Sequence, residues 1–234
     1  MLRCLHYFLL AWLIPLTALA APPSHIEAVY RVSLEGLDVA EMTETFTRKD
    51  GRYRIESVSR SVGLAALFKP ETMRIVSEGR VTDAGLRPDH VRQTRERQSQ
   101  RNSHADFDWE RHTLTLNDLA GQRSVTLPDD TQDRISAMYQ FLFLTLDGKD
   151  TLDFHMTNGS KLDDYSYRLS DPRPVKVPFG TFSARYVTTP PQANGGQTEI
   201  WLAAEQYHLP VKMVVTEGNG NRYVQVLTAL TVTP

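Results

Sequence analysis

Asp106, Asp108 and Glu110 recur at every second position around Trp109. On an extended strand that period places three carboxylates on one face, beside a ring of the kind on which a sugar stacks. Two carboxyl groups at a suitable separation suffice for acid–base cleavage of a glycosidic bond, so this strand is the candidate for a carboxylate-dependent envelope glycan hydrolase. A solvated outer strand face has the same pattern. No other catalytic signature joins it: the chain has no Gly-x-Ser-x-Gly elbow, no Ser-x-x-Lys pair and no cysteine after Cys4. Asp129, Asp130 and Asp133 stand where a helix is predicted to start, and capping explains them without catalysis.

Metal chemistry asks for ligands at converging spacings. His25, His90, His104, His112, His155 and His208 are scattered, with no His-x-His or His-Glu-x-x-His pattern, and His104 with Asp106 is the nearest approach to a pair. Neither a metal nor a cofactor is expected. Gly195-Gly196 and Gly218-Asn219-Gly220 look like hairpin turns, not phosphate-cradling loops.

Two groups of residues suit binding. The first is Arg87, Arg92, Arg95, Arg97 and Arg101, with Arg95, Arg97 and Arg101 on one side of a predicted strand and Arg92 on the other. Such a stripe matches anionic lipid headgroups or an acidic glycan; its plainer role is to keep a strand from aggregating. Nucleic acid is not an expected partner, since no aromatics interleave with the arginines and the formal net charge is -2. The second group is Trp109, Tyr139, Phe141, Phe143 and Trp201, candidates to line an apolar groove between sheet and helix, with a cavity beside Tyr139 and Phe143. Plain core packing is the competing role.

The elements that position these residues are mostly strands. Ile26, Ala28, Tyr30, Val32 and Leu34 alternate on one face, Ala40, Met42 and Phe46 follow on the next run, and Lys49-Asp50-Gly51 makes the turn to 53–58. Strand patterns return at 73–81, 85–99, 104–109, 113–116, 123–127, 151–156, 160–169, 175–177, 181–188, 198–203, 211–216 and 223–232. Between them, Gly63 to Pro70 reads as a short apolar turn, a plug or small lid.

One helix is predicted near 131–146, capped by Asp130 with Asp133 completing a capping box. From Ile135 to Leu146 its apolar residues cover almost the whole circumference, so it must be buried on several sides. The expected fold is therefore mainly β: a strongly curved antiparallel sheet, an open or half-closed barrel, around one buried helix. A two-sheet sandwich with the helix across one end is the alternative.

At the N-terminus, Arg3 leads into an apolar run from Leu5 to Leu16 and then Ala18-Leu19-Ala20, a signal-peptidase pattern with cleavage before Ala21. The run is shorter than the roughly 20 residues of a bilayer span, so no stable membrane span is expected after cleavage. Residues 1–20 are thus read as a signal peptide and 21–234 as a single β domain. The only cysteine, Cys4, leaves with the signal, and the exported chain folds without a disulfide.

Gly85-Leu86-Arg87-Pro88, Phe107-Asp108-Trp109, Gln132-Asp133-Arg134-Ile135-Ser136 with Tyr139-Gln140, and Trp201-Leu202 with Leu209-Pro210-Val211-Lys212 together resemble the DUF3108 family of exported bacterial proteins. The resemblance spans nearly all of 21–234. It implies a mostly β protein of the Gram-negative periplasm and brings no catalytic residues. The plan is also similar to the half-barrels of lipoprotein carriers, which hold acyl chains in a concave sheet. The expected function is accordingly a periplasmic, non-enzymatic binding or carrier module for an apolar or amphiphilic cell-envelope molecule. The alternatives are the glycan hydrolase above and a scaffold that binds another envelope protein.

Overall fold

In a computed structural model, which describes residues 22–193 and 195–234, fifteen strands form one sheet. The signal-peptide reading, on residues 1–20, lies outside the described residues. The first group is an antiparallel meander: β1 (His25–Leu34), β2 (Leu37–Lys49), β3 (Arg52–Ser61), β4 (Thr72–Thr82), β5 (Gly85–Arg95), β6 (Ser103–Asp108), β7 (Thr113–Asp118) and β8 (Gly121–Thr126). A short helix, α1 (Gly63–Phe68), joins β3 to β4. The second group comprises β9 (Gln132–Asp133), β10 (Thr151–Thr157), β11 (Leu162–Val177), β12 (Gly180–Thr188), β13 (Gln197–Ala203), β14 (Leu209–Thr216) and β15 (Arg222–Thr233). Strand β15 pairs with β1, so the order runs β8 through β1 to β15 and on to β9, with the one parallel pair at β9–β10.

The sheet curls around α2 (Arg134–Gln140), which touches β3, β4 and β5 on one wall and β10 and β14 on the other. The two ends of the sheet are not paired as strands. Side chains bridge them: Gln132 Nε2 donates to the Leu86 carbonyl at 2.8 Å, Ser103 Oγ to the Asn158 carbonyl at 3.3 Å, and the Arg123 guanidinium to the Ser160 carbonyl. This is the open barrel expected, not the sandwich.

The helix is shorter than its apolar run. It occupies Arg134–Gln140 instead of 131–146, continues as a single 3₁₀ turn over Phe141–Phe143, and then extends. Its cap is Asp133, not Asp130, whose φ of 61° places it in the left-handed region. Asp133 Oδ1 accepts from the Ile135 and Ser136 amides at 3.0 and 2.9 Å, and Ser136 Oγ accepts from the Asp133 amide at 3.0 Å. That is a capping box with serine in the position usually held by Glu or Gln. The consequence drawn from the apolar run holds: Ile135, Ala137, Tyr139, Phe141, Leu142 and Leu146 are buried.

Two further differences are local. The runs predicted at 160–169 and 175–177 form one strand, β11, with an irregularity between Leu169 and Pro172 that absorbs the break in alternation. Helix α1 buries none of its residues, so it does not plug the barrel.

A barrel interior that is closed at one end and open at the other

Register fixes which side chains share the concave face, because residues directly opposite in adjacent strands point the same way. From Tyr30 the pairs run Tyr30↔Met42 and Met42↔Ser59 to Ser59↔Met73 and Met73↔Arg95; one level up, Ala28↔Glu44, Glu44↔Ser57, Ser57↔Ile75 and Ile75↔Gln93. Above these levels the inner face is sealed: Ile26, Phe46, Tyr53, Ile55, Ser77 and Leu86 are all buried. On these levels and below, the same face is partly accessible at Val32, Met42, Ser59, Met73, Ile75, Gln93 and Arg95, and across the barrel at Met213 and Gln225. Helix α2 starts beside Ile75 and Gln93 at Arg134 and Ile135 and reaches the buried level at Tyr139. The lower half is a cup whose wall mixes apolar side chains with Ser59, Gln93, Arg95 and Gln225.

The floor of the cup is polar. Tyr139 is fully buried, stacks on Phe46 with ring centroids 5.3 Å apart, and donates from its hydroxyl to Glu44 Oε2 at 3.2 Å. Ser57 also hydrogen-bonds the Glu44 carboxyl. Loss of water raises the Glu44 pKa to about 7 despite the bonds from Tyr139 and Ser57, so the group changes charge near neutrality. The Tyr30 hydroxyl donates to the Pro210 carbonyl at 3.0 Å and ties this floor to β14. A second buried carboxyl, Asp133, accepts from Ser77 Oγ at 2.5 Å, and Ser77 in turn meets the Tyr53 hydroxyl at 3.1 Å. Burial raises the Asp133 pKa, partly offset by these donors.

On the β5–β6 side the cup continues into a groove of about 640 Å³ lined by Gln93, Arg95, Arg101, Leu119, Arg134 and Glu217, among others. Arg95 faces inward, and its Nε is buried with no hydrogen-bond partner. Among the described residues, none of Arg95, Arg101 and Arg134 forms an ion pair with a carboxylate. A half-buried guanidinium without an acceptor is costly, and an oxyanion seated here would relieve that cost.

The arginines expected on one strand side divide. Strand β5 ends at Arg95, so Arg97 and Arg101 lie beyond it, and Arg97 and Arg92 are exposed. Arg134 replaces them at the groove, a residue that sequence spacing alone does not connect to Arg95.

The aromatic candidates also divide. Phe143 lies edge-on to Phe46 at 6.4 Å, beside Tyr139 at the boundary between the sealed and open halves. Tyr139 and Phe143 both pack on Phe46, and Phe143 is partly accessible. Trp201 is half-buried at the fringe of the same cluster, with Tyr186 at 5.0 Å and the Lys212 ammonium 4.5 Å from its ring. Trp109 belongs to a separate cluster with Phe107, Leu114 and Leu116.

Trp109 explains the motif residues. Its Nε1 donates to the Pro88 carbonyl at 2.7 Å and the Arg87 guanidinium lies 4.4 Å from its ring. Leu86 N donates to Gln140 Oε1 at 2.6 Å, and Gln140 Nε2 donates to the Ala84 carbonyl at 2.8 Å. Gly85, at φ +103°, is required there because a Cβ would fall 2.5 Å from Gln140 Oε1. The Gly85–Pro88, Phe107–Trp109 and Gln132–Gln140 motifs thus form one knot that fastens α2 to β5.

The carboxylate strand lines a different groove, of about 580 Å³, with Arg80, Arg87 and Asp89. Trp109 is 8% exposed and covered by Arg87, so no sugar can stack on it. Backbone and guanidinium bonds from Arg111 hold the Asp108 carboxyl below the usual carboxylate range, opposite to what a general acid needs. Among the described residues no group of three His, Cys, Asp or Glu side chains is placed to hold a metal, and no helix is long and apolar enough to cross a membrane.

The fold is similar to that of a beta-barrel-like protein from Brucella abortus, a domain of unknown function designated DUF1849. That similarity has a TM-score of 0.60 at 10% identity, covering 92% of this chain and all of the other. A Bacteroides fragilis protein described as exported, with a YmcC-like fold, aligns at a TM-score of 0.39 and 11% identity over 89% of this chain and 96% of its own. No curated protein matches the sequence. Residues 29–228 match the model of the family described as protein of unknown function (DUF3108), and the chain belongs to that family.

Proposed function

We propose that the protein is a periplasmic carrier or binding module for an amphiphilic envelope molecule, exported by residues 1–20. The acyl portion lies against Met42, Met73, Ile75 and Met213, bordered by Phe143, and an anionic headgroup meets Arg95, Arg101 and Arg134. The observation that carries this reading is the division of one concave face into a buried upper half and a partly accessible lower half that joins apolar side chains to the inward-facing Arg95. Folded proteins bury such faces unless something else covers them. Tyr139 is the lid of the sealed half and positions Glu44; Trp109 and Trp201 hold the frame.

The test is native mass spectrometry of protein released from its own envelope without detergent. The expected result is an added mass that fragments to acyl chains and an anionic headgroup. A spectrum of bare chain, from protein that also fails to take up a fluorescent acyl probe, rejects the reading.

A further inference from the structure

Seven large apolar side chains are strongly exposed among the described residues, and five of them lie at one end of the barrel: Leu37, Leu64, Leu67, Phe68 and Leu119. The strand directions fix that end. Strands β1, β3 and β5 finish there, β2 and β4 begin there, and the β7–β8 turn returns there, so it is the open end of the cup. Helix α1 is the centre of this rim. Leu64, Leu67 and Phe68 are 63%, 75% and 84% exposed, and none of the helix's residues is buried. A six-residue helix that turns its large apolar groups outward gains nothing from its own fold by doing so.

The surrounding charge selects the occupant. Arg60 and Lys69 bracket the helix, are exposed, and have no carboxylate partner among the described residues. Of the neighbouring acids, Asp38 pairs with Arg31 at 3.5 Å, Glu71 is turned to the Arg97 amide, which its Oε1 accepts at 3.1 Å, and Glu41 stands opposite Arg60 on β2 without forming an ion pair. Apolar side chains projecting between two unpaired cations fit the boundary between acyl chains and anionic headgroups. We infer that α1 is a docking lip that inserts Leu64, Leu67 and Phe68 into an anionic phospholipid surface, with Arg60 and Lys69 at headgroup level.

This proposal does not depend on what the cup holds, although it places the cup's mouth against a bilayer. It is tested by flotation of the processed chain, purified from the envelope without residues 1–20, with phosphatidylethanolamine–phosphatidylglycerol vesicles and with phosphatidylcholine vesicles. The wild type floats with the first and less with the second. Leu64→Ser/Leu67→Ser/Phe68→Ser lowers the bound fraction roughly tenfold or more, while Val125→Ser/Phe179→Ser, at exposed positions away from this rim, leaves it unchanged. Arg60→Ala/Lys69→Ala removes the preference for phosphatidylglycerol. In Phe68→Trp, brominated acyl chains quench emission that they do not quench in the wild type.

Equal flotation of wild type and triple variant overturns the proposal, as does absence of flotation by the wild type. So does a concentration-dependent dimer that the triple substitution abolishes, since a second copy would then be what covers the helix. Uptake of an acyl probe from solution is unaffected by the triple substitution, which separates failure of the lip from failure of the carrier reading.

Discussion

Replacing Glu44 with glutamine isolates the titration of the cup floor. Burial raises the Glu44 carboxyl from 4.5 to about 7, and an unfolded chain returns it to its ordinary value. Below pH 4.5 the group is protonated in both states and costs nothing. As pH rises from there, the unfolded chain loses its proton while the folded chain keeps it, so stability falls until the folded group also ionises near pH 7. The difference of about 2.5 pH units corresponds to about 3 kcal/mol. A glutamine amide at this position would imitate the protonated form and still accept from the Tyr139 hydroxyl. Urea unfolding at pH 5 and pH 8 should therefore give similar stabilities at pH 5, with Glu44→Gln more stable than wild type by about 2–3 kcal/mol at pH 8. A gap that is the same at both pH values, or that favours the wild type at pH 8, refutes the desolvated floor.

Asp133→Ala removes the helix cap and leaves Ser77 without its acceptor; a loss of about 2–4 kcal/mol in urea unfolding is expected, with Asp133→Asn losing less. Trp109→Phe gives up the bond to Pro88 and weakens the Arg87 contact, costing about 1–2 kcal/mol in the same assay. If the acyl site is the cup, that variant takes up an acyl probe as well as the wild type does, because Trp109 belongs to a different cluster.

Strands were legible where one face is sealed. Ile26, Ala28 and Tyr30 alternate strictly because they join one core cluster with Tyr139, Val177 and Phe182, and Ala105, Phe107 and Trp109 do so because they join another. The buried helix was legible from its all-round apolarity, but its length was not: Phe141, Leu142 and Leu146 stay buried in a 3₁₀ turn and extended chain, and burial carries no signature of which backbone it uses. The Asp130 cap was misplaced because three nearby aspartates offer the same chemistry, and only the left-handed φ of Asp130 separates them.

The binding surface was least visible. Arg95 and Arg134 are 39 positions apart and meet only through the curl of the sheet, and the open half of the concave face has the same alternation as the sealed half. A period of two shows which residues share a face, not whether anything fills the space in front of it. Glu44 interrupts the apolar series Met42–Phe46, and that single break was the available sign of a polar floor.

Thiol accessibility along the concave face tests the division most directly, in a chain whose Cys4 is replaced by Ser. Cysteine substituted for Met73, in the open half, should react with a charged maleimide in the folded protein and be protected by added phosphatidylglycerol. Cysteine substituted for Ile55, in the sealed half, should react only after unfolding. Equal reactivity at both positions, or no protection of the open-half thiol by lipid, would contradict the account.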